Sequence, residues 1–224
     1  ANPSGGVSGS KSKNFSDAFV LVFEKGFSVG DSSLLRDFTT WLQSGFGVEL
    51  DRKTASDEAL FWVFAQRCDR NVFELLKDVF TLMTSPFAVE FSKPVAYQKL
   101  KVLKSFKNFN RKRFEQMRDL FSQISNTYAE SYPKGEAFEK TRFWLLQKDF
   151  TQDQMSLRKE AFVFLSGLYS AGLKKEVARD KAEDWIVNRA LSRDKLTKIR
   201  DLFIVYNRTM DKHKALARAE REVF

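Results

Sequence analysis

The chain has 224 residues, 43% hydrophobic and 30% charged, with a net charge of +9 and a single histidine and a single cysteine. One cysteine excludes an internal disulfide and a cysteine-rich zinc site, and one histidine excludes a multi-histidine metal centre within the chain. The longest uninterrupted apolar run, residues 59–65, is far too short to cross a bilayer, and no charged start followed by an apolar stretch reads as a secretory leader. A reducing, cytoplasmic location is expected.

Residues 1–14 are small and polar and read as a flexible tail. Ser16 or Asp17 can cap a segment through Phe19 and Phe23 that ends near Gly26; its run AFVLVF fits a helix or a short strand. Ser32 or Ser33 is expected to open a helix carrying Leu34, Leu35, Phe38, Trp41 and Leu42, and Thr54 or Ser56 a third with Asp57 and Glu58 in its first turn. A helix over 72–83 stops at Ser85-Pro86. Ser92 with Pro94 behind it starts the next, and a break is expected near Asn108–Asn110. The pattern resumes through Phe114, Met117, Leu120, Phe121 and Ile124. Segment 126–136 reads as the main internal boundary. Beyond it come 137–148, a helix whose Thr151 and Gln154 suit a capping box, a helix over 174–191, and a last one from Ser192 almost to Phe224.

These elements predict an all-α fold: a multi-helix globular protein with an N-terminal lobe over 15–126 and a C-terminal lobe over 137–224. No internal repeat of fixed period is read from the chain. The 23 phenylalanines are assigned mostly to the core, because each ring has a large apolar area to remove from water. From Ser192 a seam runs through Leu196, Ile199, Phe203, Tyr206 and Met210 and weakens at His213 and Glu220. The terminal stretch therefore reads as a projecting helix through which a homo-oligomer could form.

Charge is uneven. Residues 1–96 carry a net −2, residues 97–114 a net +7 and residues 115–224 a net +4. At about 100° per residue, the segment YQKLKVLKSFKNFNRKRF sets Lys101, Lys104, Lys107, Arg111 and Lys112 on one face, opposite Leu100, Val102, Leu103, Phe106, Phe109 and Phe114. Lys99 and Arg113 fall at the apolar margin. A solvated helix face ordinarily mixes signs, because like charges four residues apart repel. An unmixed cationic face points to a polyanion. Nucleic acid is the expected partner, contacted at its phosphates by Lys99, Lys101, Lys104, Lys107, Arg111 and Lys112, with Tyr97 as a stacking ring. Single strands are favoured over duplex, because aromatics accompany the charge and no zinc finger, RNP-like motif or basic zipper is present. A membrane surface is disfavoured, since the apolar face is needed for the core. The competing class is a helical scaffold whose basic face docks an acidic protein.

Catalytic constellations are not found. His213 has no nucleophile to serve, there is no phosphate-binding glycine loop, and the acid pairs Asp57/Glu58 and Glu183/Asp184 read as cap or surface residues. A non-enzymatic role with no cofactor is expected.

Overall fold

The computed structural model describes residues 28–224, and the readings made for residues 1–27 lie outside them. All regular structure among the described residues is helical. The ten α-helices are α1 (Val29–Gln43), α2 (Arg52–Leu60), α3 (Arg70–Thr84), α4 (Lys93–Lys104), α5 (Arg111–Ser125), α6 (Lys134–Arg142), α7 (Gln152–Ser166), α8 (Lys175–Val187), α9 (Arg193–Tyr206) and α10 (Lys212–Val223). Helices α2 and α6 each widen into a π turn, Phe61–Ala65 and Phe143–Gln147, closed by Gln66 N–H on Phe61 O and Lys148 N–H on Phe143 O.

The helix starts give a correction. Residues 29, 70, 111, 152 and 193 are each 41 apart, so the described residues form five tandem helical hairpins, the last with a loop four residues shorter. The repetition is one of residue type at fixed positions. Ser28, Asp69, Asn110, Thr151 and Ser192 precede the first helix of each hairpin, and each accepts a backbone N–H there. Ala55, Ala96, Ala137, Ala178 and Ala215 are fully buried in the second helices, where a small side chain lets helices approach closely. Trp62, Trp144 and Trp185 share another register, with Leu103 in the second hairpin. Within each of the first four hairpins a backbone bond closes the turn: Leu50 on Leu42, Phe91 on Met83, Tyr132 on Ile124 and Leu173 on Leu165.

The residues divide into two compact units, 28–84 with 91–102, and 85–90 with 103–224. Segment 126–132 is thus the turn of the third hairpin, inside the second unit, and is equivalent to 44–50, 85–91 and 167–173. In the first unit, Trp41 meets Phe80 edge-on at 5.5 Å. In the second unit the same two registers place Phe164 against Phe203 at 5.5 Å.

Half-buried ion pairs tie second helices of neighbouring hairpins: Glu58–Lys101 at 2.6 Å, Lys140–Glu183 at 2.5 Å and Lys181–Glu220 at 2.7 Å. Where the second hairpin precedes the third, those positions hold two cations, Lys99 and Arg142. Each takes a partner in its own unit, Lys99 over Phe91 and Arg142 with Glu139.

The terminal helix does not project. The segment expected to run unbroken from Ser192 turns at Asn207–Met210, and α10 folds back on α9. Ala215, Leu216 and Ala219 are buried, and Phe224 lies 5.7 Å from Trp185.

Candidate nucleic-acid interface

The basic segment does not form one helix. Its first part is α4, which ends at Lys104; a loop follows, turning through Phe106 on Leu103 and Phe109 on Phe106. Asn108 pins this loop by donating to Leu146 O and Asp149 Oδ1, both at 3.3 Å. Asn110 then caps α5, where Arg111 and Lys112 begin a new turn. The single cationic face expected from continuous 100° steps is therefore corrected to three short pieces.

The structure separates the candidate residues by what they touch. Tyr97 is a core residue and not a surface platform: its ring is buried, its hydroxyl donates to Glu58 at 2.8 Å and accepts from Trp62 Nε1 at 2.9 Å. Burial pushes its hydroxyl pKa well above the ordinary phenol range, with the Glu58 hydrogen bond adding to the shift. Lys101 is neutralised by Glu58 and lies 4.7 Å above the Tyr97 ring. Lys99 sits over Phe91, and Arg111 is also partnered. Arg113 is turned inward onto Asp149 and Phe150 O.

What remains is a trio in the second unit. Lys104 ends α4, Lys107 is exposed in the loop and Lys112 is exposed in the first turn of α5. Among the described residues none of the three has a carboxylate partner. The first turn of α5 holds no acid, so the partial positive charge of the helix N-terminus adds to theirs.

A second feature was not read from the sequence. Phe46, Phe87, Tyr128 and Tyr169 occupy one register, in the turn of each of the first four hairpins, and are 96–103% exposed. Each turn is built alike. The residue three further on, Glu49, Glu90, Ser131 or Gly172, takes positive φ. A lysine heading a second helix donates to the carbonyl just before the aromatic: Lys93 to Gly45 at 2.5 Å, Lys134 to Pro86 at 2.7 Å, Lys175 to Thr127 at 3.0 Å and Lys212 to Leu168 at 2.5 Å. The turn is tied down while the ring stays in solvent. Burial does not explain the ring, because it is exposed among the described residues. The available signal was the 41-residue spacing of an aromatic among Gly, Pro, Ser and Thr.

In the same unit a cavity of about 820 Å³ opens between α5 and α7, with Tyr128, Lys159 and Lys175 among its lining residues. No protein-family model, curated protein or solved structure matches the chain.

No described helix is long and apolar enough to cross a membrane. Three acids of the two pairs have structural partners. Glu58 and Glu183 belong to the ion pairs between hairpins, and Asp184 is held below the usual carboxylate range first by its bond from Asn188 and then by Arg189.

Proposed function

We propose that the chain is a non-enzymatic, single-strand nucleic-acid-binding protein that contacts phosphates through Lys104, Lys107 and Lys112. The observation that carries this reading is the contrast among its lysines. Lys101, Lys140 and Lys181 are each matched by a carboxylate, whereas this trio has no carboxylate partner among the described residues and lies beside a helix N-terminus that favours an anion. Tandem helical repeats are a known way of following a single strand, one segment per repeat, and an exposed aromatic in each of the first four turns suits stacking on splayed bases. The binding is dominated by phosphate contacts and weakly dependent on sequence. The inward side of α10 is already occupied, so any self-association belongs to its outward side.

Fluorescence anisotropy with labelled single-stranded RNA, single-stranded DNA and duplex DNA tests the reading. Wild type is expected to bind single strands with affinity that falls steeply with salt, and Lys104→Ala/Lys107→Ala/Lys112→Ala to lose most of that binding with its helicity intact. Equal binding by the two proteins contradicts it. No binding at low salt by wild type would move the trio to an acidic protein partner.

A further inference from the structure

The junction between the third and fourth hairpins departs from its counterparts. At the register of Trp41 and Phe164 the third hairpin has Gln123, so no aromatic from α5 reaches Phe162, the counterpart of Phe80 and Phe203. A cavity of about 820 Å³ lies at this junction, with Gln123 and Phe162 on its walls. Its floor is polar where other hairpins are apolar. Arg158 stands at the register of Leu35, Leu76, Met117 and Ile199, and Glu130 at that of Val48, Val89 and Ala171. The two are buried and paired through both guanidinium terminal nitrogens, with Arg158 4.1 Å above the Trp144 ring and its Nε without a partner.

We infer that this groove is a nucleobase-binding subsite, continuous with the lysine trio and filled by bases of the same single strand. The inference rests on the nucleic-acid reading. Lys112 and Gln116 are four residues apart on α5, hence on one face, and Gln123 follows two turns on. The face thus runs from phosphate-binding charge into the groove along a helix of about 22 Å. Tyr128 stands at the far end as a stacking surface, held out by the Lys175 bond to Thr127 O. Charge fits the occupant. Asp119 lies 3.5 Å from Arg118 and Glu130 is met by Arg158, which leaves Lys159 and Lys175 at the rim without a carboxylate partner among the described residues. Exposed Gln123 and Gln152 present amides, which hydrogen-bond base edges in either sense.

The test uses the full chain and two kinds of polyanion: short labelled oligouridylate and oligoadenylate, and inorganic polyphosphate, which has charge but no bases. Gln123→Phe restores the ring that Phe164 supplies one hairpin later, so it closes the groove without threatening the fold. Tyr128→Ala removes a fully exposed ring. Each is expected to weaken oligonucleotide binding about tenfold, the scale of one lost stack, and to leave polyphosphate binding unchanged. Gln123→Phe is also expected to melt no lower than wild type. If both variants bind oligonucleotides as wild type does while the triple lysine variant loses binding, the groove is not the base site and the phosphate reading stands. If wild type binds oligonucleotides no better than polyphosphate, the subsite is likewise refuted. If wild type binds no oligonucleotide, both readings fall together.

Discussion

Two neighbouring junctions of the second unit use the same helix positions in opposite ways. Between the fourth and fifth hairpins, Phe164 and Phe203 meet edge-to-face, α7 packs on α9, and Lys181 pairs with Glu220. Between the third and fourth, Gln123 replaces the ring, a cavity opens, and a buried Arg158–Glu130 pair stands where the repeat elsewhere keeps aliphatic side chains. The second-helix ion pair is present in both, as Lys140–Glu183 and Lys181–Glu220. The hairpin scaffold is therefore maintained while one set of packing positions is released. Apolar burial at those positions would add stability, which this junction forgoes.

The largest effects should come from breaking each junction at its centre. Arg158→Ala strands a buried carboxylate and is expected to cost about 3–5 kcal/mol in urea unfolding. The double change Arg158→Leu/Glu130→Val installs the residues of the first two hairpins and should be neutral or stabilising by about 1–4 kcal/mol. A large loss in the double variant would show that the pair is more than a replaceable substitute for apolar contact. At the closed junction, Phe203→Ala should cost about 3–5 kcal/mol through the cavity it leaves, whereas Gln123→Ala at the open one should cost well under that. Equal costs would erase the distinction.

Smaller effects sharpen the comparison. Burial holds the Tyr97 and Tyr132 hydroxyls above the ordinary phenol pKa, so their neutral forms stabilise the fold. That contribution is complete below the unfolded value of 10.0 and is lost as pH rises above it. Alkaline titration should therefore show phenolate absorbance from these two rings only as the chain unfolds. Tyr97→Phe should reduce the effect in the first unit without changing the second. Smallest of all, Lys175→Ala removes two exposed bonds, to the Thr127 carbonyl and the Ser131 hydroxyl, and should cost about 1 kcal/mol. It should still speed amide exchange within 126–132 relative to the equivalent turn at 167–173.

Much of the fold was legible. Thr151 and Gln154 form the expected capping box, Ser192 caps α9, and α4 starts where Pro94 follows Ser92. The helices came from apolar periodicity and caps, which are local signals. The 41-residue repeat was not legible because it is carried by residue class, and few identities survive from hairpin to hairpin. Alanines are its most constant buried mark, and they add little to an apolar pattern. The terminal helix was misplaced for a related reason: its buried face is Ala215, Leu216 and Ala219, and a seam drawn from Ser192 passes over the turn at 207–210.

The candidate site was half legible. Composition located the charge, and Asn108–Asn110 was flagged as a break. Continuous helical steps nevertheless merged two helices and a loop into one face. Tyr97 resembled a surface ring because tyrosine carries a polar tip. Only tertiary packing shows that the tip reaches Trp62 and Glu58 from inside the core. Lys101 was counted as free because its partner lies 43 residues earlier in sequence. The exposed aromatic in each of the first four turns went unnoticed because hydrophobicity alone assigns such rings to the interior.

The most direct test of the central claim is a salt titration of single-strand binding by wild type and by Lys104→Ala/Lys107→Ala/Lys112→Ala. Each phosphate contact on a single strand contributes about −0.7 to the slope of log affinity against log salt. Three lost contacts should therefore make the variant's slope shallower by about 2, together with a loss of affinity at low salt. An unchanged slope would show that these lysines touch no phosphate and would contradict the account.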